Sequence, residues 1–221
     1  MSTPNPVPHP GYKNAKPYIR PVLELFSELG AQDACLQLQE VAIVHLEKNA
    51  QSVNSHTNDY LRLLYIDNSI PQGSYSFADM RTQIYKSFII LTHAIFDKAL
   101  KACNKAYQQK NPSLTWITTL KGGTALHPLE QLVHNCTSAE KLLLTQVPEF
   151  GLLEYYRRVR IAAVHINQNT AQEAQLAYDA LSPADHQHFQ QYQHLSGGPN
   201  APSLLTFQDF RLYTRAIEIA P

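Results

Sequence analysis

The chain has 221 residues, 44% hydrophobic and 16% charged, enough apolar surface for one sizeable core and too much for a compositionally disordered chain. Its formal net charge is zero, which argues against a broad basic face coating long nucleic acid but allows a local arginine cluster. Cys35, Cys103 and Cys136 are far apart and form no CxxC pair, so reduced thiols in a cytoplasmic protein fit better than disulfides or a thiolate zinc site.

Residues 1–17 are proline-rich without an apolar run and read as a flexible lead-in, not a secretory signal. No stretch approaches the ~18–20 apolar residues of a membrane span, so no membrane partner is expected. From residue 18 onward helical spacing and helix punctuation recur, whereas alternating strand patterns are hard to find; the expected fold is all-α, a helical bundle of residues 18–221. Residues 18–29 read as a short amphipathic helix closed by Gly30, with a second helix from 31 to about 55 directing Leu38, Val41, Ala42 and Leu46 inward. The segment 68–73 breaks the pattern at Pro71 and Gly73.

Ser76, with Asp79 three residues on, should cap the longest helix, which ends before Pro112. Its first apolar row is Ile84, Phe88, Leu91, Ile95 and Ala99, and a second row of Ile89, Phe96, Leu100 and Cys103 widens the buried stripe; Lys86, Asp97, Lys98, Lys101 and Lys105 mark the opposite face. An irregular connection covers 116–123, with the glycine pair after Lys121 as a turn and not a phosphate loop. Helices are then expected over 128–135, after the Thr137/Glu140 capping box, and from 150 to about 167 with Leu152, Tyr156, Val159, Ala163 and Ile166 on one stripe. Thr170/Glu173 reads as a further capping box, Ser182 before Pro183 as another start, Gly197, Gly198 and Pro199 as a stop, and Thr206/Asp209 as the opening of a terminal helix toward Ile219.

The residues with chemistry to offer cluster in the 150–167 helix. Arg157, Arg158 and Arg160 lie within one turn and are followed by His165. Arginine presents a permanently charged fork to phosphate oxygens and histidine exchanges a proton near neutral pH, a combination suited to phosphodiester chemistry. At 3.6 residues per turn Arg158 and His165 nearly eclipse, whereas Arg160 and His165 diverge by roughly 140°, so Arg160 needs a kink or a second subunit to meet it. The competing structural assignment is a solvated arginine face paired with Glu154 and a partly buried His165.

This segment resembles the Arg-x4–6-His signature of the HEPN superfamily, helical-bundle proteins that include many metal-independent ribonucleases of toxin–antitoxin, CRISPR and antiphage systems. Arg160 to His165 matches the four-residue spacing and Arg158 to His165 the six-residue spacing, with Ile161 where family members often carry a polar residue. The likeness covers about residues 77–182 as a HEPN-like core, with extra N-terminal helices and a C-terminal helical extension over 183–221. It implies a homodimeric endoribonuclease of the kind that serves as a toxin or effector, with an antitoxin as partner. Arg160, with Arg158 as second candidate, would hold the scissile phosphate of RNA and His165 would act as general acid or base. The products would be a 2′,3′-cyclic phosphate and a 5′-hydroxyl, with no cofactor or metal required. The alternative is a non-catalytic helical module that binds a nucleotide or partner protein.

Other histidines read as structural. His186 and His188, two apart, point about 160° away from each other on a helix and cannot chelate one ion; with His194 they fit a solvated polar face. His93 and Asp97, one turn apart, fit an ordinary side-chain hydrogen bond or the lining of a cleft. Tyr155, Tyr156, Trp116, Tyr192 and Tyr213 would stack bases in a nuclease, though such aromatics more often fill a core.

Overall fold

The computed structural model describes residues 20–71, 73–165, 167–192 and 197–219, leaving the lead-in, Ile166 and His194 outside the described residues. The fold is an all-α helical bundle, nine helices among the described residues: α1 (Arg20–Ser52), α2 (Thr57–Asp67), α3 (Phe77–Lys110), α4 (Pro128–Asn135), α5 (Ser138–Thr145), α6 (Pro148–Val164), α7 (Gln168–Asp179), α8 (Pro183–Gln190) and α9 (Phe207–Ile219). Helices α3, α6 and α9 pack on one another around the main core, α1 lies along α3, and α7 covers α6. None of these helices is long and apolar enough to cross a membrane.

Local chemistry sets most boundaries. Ser76 with Asp79, Thr137 with Glu140 and Ser182 with Asp185 form reciprocal capping boxes, as their spacing predicts, and α3 stops at Lys110, two residues before Pro112. The Thr206 backbone N–H donates to Asp209 at 2.7 Å, giving α9 the expected start. The 170–173 expectation fails because Asn167 is the N-cap: its Oδ1 accepts from the Thr170 N–H at 2.9 Å, while the Thr170 hydroxyl turns back to the His165 carbonyl at 2.6 Å. Accordingly α6 ends at Val164, three residues short of the predicted limit. Helix α2 has no counterpart in the sequence reading.

The largest difference is at the N-terminal end. Gly30 does not divide two helices; it lies inside the continuous α1. A glycine in a helix interior costs ~1 kcal/mol, which packing along α3 overcomes. The buried seam of α1 is Leu29, Leu36, Ile43 and Ala50, every seventh residue, whereas Leu38, Val41 and Ala42 are exposed and Leu46 half-buried. Apolar residues lie all round this helix, so burial follows the narrow stripe that meets one long neighbour. In α3, Phe88, Ile89, Phe96, Ala99 and Leu100 are buried as expected, but Leu91 is exposed and its place inside is taken by Thr92 and His93.

Tyr155, Tyr156 and Tyr213 are wholly buried and are core residues, not base-stacking platforms. Tyr156 lies 4.8 Å, ring centre to ring centre, from both Tyr155 and Tyr213, and donates to Asp209 at 3.1 Å. The fully buried Asp209 also accepts from the Asn200 N–H and side-chain amide, both at 2.8 Å, and from Thr206, so its charge is surrounded by donors. Helix α9 is thereby bonded into the centre of the bundle.

Candidate functional site

The three arginines of α6 meet different surroundings. Arg157 is buried; its Nε and Nη2 each donate to Glu154 at 2.6 Å, and Nη2 lies 3.4 Å from Glu130. Arg158 is half-exposed and bridges Glu154 at 2.8 Å to Glu173 of α7 at 2.6 Å. Burial works to raise the Glu154 pKa, but its bonds to Arg157 and Arg158 outweigh this and hold the carboxyl below its ordinary range. Arg158 is therefore neutralised from both sides. Arg160 is half-buried, with no hydrogen bond or ion pair among the described residues.

His165 is the exposed C-cap of α6. Its backbone leaves the helix (φ −107°, ψ 86°), its N–H donates to the Ile161 carbonyl at 2.8 Å, and its own carbonyl accepts from Thr170. The helix thus ends at the residue intended as its partner, and no contact among the described residues joins His165 to Arg158 or Arg160. The charge of Arg160 instead acts on His93 of α3 and Tyr213 of α9, within the bundle.

That direction leads to a polar cluster the sequence reading did not assemble. His93 shares a hydrogen bond with the Tyr213 hydroxyl at 2.7 Å, in place of the expected bond to Asp97. Asp97 pairs with Lys101 through Oδ2 at 2.6 Å and turns Oδ1 to within 3.2 Å of His127 Nε2. His127 is the N-cap of α4, where Nδ1 accepts from the Leu129 N–H at 3.3 Å. The His93 and His127 rings lie 5.3 Å apart. Burial, followed by the charges of His127 and Arg160, pushes the His93 pKa down to about 4, and burial with Arg157 lowers that of His127, so both rings are neutral at pH 7. His93 and Asp97 were legible as a pair. His127 stands thirty positions beyond Asp97 and enters through the α3–α4 connection.

Two further histidines, His186 and His188, are also tied down. His188 donates to the buried Glu149 at 2.9 Å and the Tyr192 hydroxyl donates to the same oxygen, so His188 is not on a freely solvated face; His186 packs edge-on against Tyr178. Trp116 Nε1 donates to Gln131 at 3.2 Å. The cysteines are free thiols.

No family model matches the chain, and comparison with curated proteins and with solved structures finds no similar chain. The functional reading therefore stands on the side chains.

Proposed function

We propose that the chain is a metal-independent endoribonuclease of the HEPN type, in which Arg160 binds the scissile phosphate and His165 transfers a proton. The observation that carries this reading is the contrast along one helix turn: Glu154 occupies Arg157 and Arg158, whereas Arg160, five residues before the exposed His165, has no carboxylate partner among the described residues. An unpaired guanidinium in a half-buried position is expensive unless an anion visits it, and phosphate matches its planar fork. Because the two side chains diverge on α6, the catalytic pair is completed by two copies of the chain, Arg160 of one meeting His165 of the other. Arg160 would neutralise the in-line transition state while His165 serves as general acid or base, yielding a 2′,3′-cyclic phosphate and a 5′-hydroxyl. An antitoxin or other protein partner would act by covering this face.

The test is cleavage of a mixed-sequence RNA in EDTA. Wild type should cut it, while Arg160→Ala and His165→Ala should each lose at least ~10²-fold in rate with unchanged circular dichroism; Arg158→Ala should retain most activity. Full activity of the first two variants would overturn the assignment. Retained RNA binding without any cleavage by wild type would select the non-catalytic binding module instead.

A further inference from the structure

We propose that His93, Asp97 and His127 form a binding site for one divalent transition ion of the zinc class. Each offers one ligand atom, and the three atoms all lie within 4.8 Å of one another. Donors at ~2.1 Å from a tetrahedral ion are roughly 3.4 Å apart, so modest side-chain rotation closes the set. Two imidazoles sharing such an ion have ring centres roughly 5 Å apart, in line with the 5.3 Å here.

The second argument is hydrogen bonding. Asp97 Oδ1 and His127 Nε2 are buried and face each other at 3.2 Å, yet their alignment makes no hydrogen bond, and both atoms lack any other partner among the described residues. Buried polar atoms without hydrogen-bond partners are rare, and two of them 3.2 Å apart lie near the roughly 3.4 Å spacing of ligand atoms on one tetrahedral ion. The Tyr213 hydroxyl on His93 Nδ1 orients that ring and leaves Nε2 to ligate, the outer contact that metal-bound histidines use. At His127 an ion on Nε2 requires the proton on Nδ1, so the weak 3.3 Å bond that Nδ1 accepts from the Leu129 N–H is given up when the ion binds. Two neutral imidazoles and one carboxylate favour zinc-class ions over the oxygen-seeking Mg²⁺ and Ca²⁺.

Access and charge are compatible. The side chains of Asp97 and His127 retain 23% and 17% exposure, so the cluster lies just beneath the surface although His93 and the ligand atoms of Asp97 and His127 are themselves buried. Arg157 is compensated by Glu154 and Glu130; the positive charges left nearby are Lys101, which holds Asp97 Oδ2 at 2.6 Å and leaves Oδ1 for the ion, and Arg160. With three protein ligands one position stays open, and Arg160 favours an anion or hydroxide there.

The experiment titrates the full chain with Zn²⁺ against a chromogenic chelator at neutral pH, and with Co²⁺ followed by its visible absorption. Wild type should bind one ion per chain with a tetrahedral Co²⁺ spectrum. Asp97→Asn and His127→Asn, the latter keeping an N-capping side chain, should each weaken binding at least tenfold and abolish the spectrum. Tyr213→Phe should weaken it by 10- to 100-fold, and His186→Gln should change nothing. Absence of saturable binding, or binding and spectrum unchanged in both Asp97→Asn and His127→Asn, overturns the site. The inference does not rest on the ribonuclease reading: cleavage that persists in EDTA leaves it standing, and inactivity toward RNA does not remove it.

Discussion

Glu154 decides which of three neighbouring arginines is free. Removing its charge leaves the buried Arg157 with the longer 3.4 Å contact to Glu130 and releases Arg158 to Glu173 alone. Glu154→Gln should therefore destabilise the fold by roughly 2–3 kcal/mol in urea unfolding, less than the ~3–5 kcal/mol for breaking a fully buried pair because Glu154 keeps 32% exposure. The same residue predicts an acid dependence. Its folded pKa is depressed, so the unfolded chain binds protons more readily; the contribution is complete above the ordinary glutamate range and declines as pH falls through that range to the folded value. Glu149 acts with the same sign, because its bonds from Tyr192 and His188 outweigh the opposing effect of burial. Urea midpoints should fall steeply below about pH 4.5, and less steeply in Glu154→Gln; parallel profiles for the two proteins would contradict this.

At the scale of elements, ends were more legible than faces. A capping box is a side-chain acceptor and, three residues on, a carboxylate, both local in sequence, so Ser76 and Thr137 could be read directly, and Ser182 through the Pro183 that follows it. Thr170 carried the same pattern and misled, because Asn167, three residues upstream, competes for its N–H and begins α7 earlier. Ser76→Ala and Asn167→Ala should each cost about 1 kcal/mol by denaturant unfolding, and a loss at Asn167 much below that would return the cap to Thr170. The inward face of α1 was not legible, since apolar side chains surround the helix and its partner, which selects the seam, lies in α3. The candidate ion site was half legible for the same reason: His93 and Asp97 are separated by one turn of α3, while His127 and Tyr213 are supplied by topology.

For the whole molecule, the C-terminal helix α9 is part of the core. Phe210, Leu212, Tyr213 and Ile217 of α9 are buried against α3 and α6, and burial of four such side chains contributes roughly 6–12 kcal/mol, comparable with the entire stability of an ordinary domain. A chain cut after residue 182 should show no cooperative thermal transition by circular dichroism, and a sharp transition in that fragment would mark the preceding helices as an independent unit. That the bundle is all-helical could be read from periodicity; that its last helix completes the centre could not, because α9 owes its position to Asp209 and Tyr213, both polar and unremarkable in a linear pattern.

The hydroxyl of Tyr213 meets the imidazole of His93 across 120 positions of chain. Closing a loop of that length costs more chain entropy than any contact within a helix, which favours its forming after the local helices. A chain still lacking α9 has neither the hydroxyl that steers His93 nor the core that holds α3 and α4 in place, so the cluster should become competent only when α9 docks.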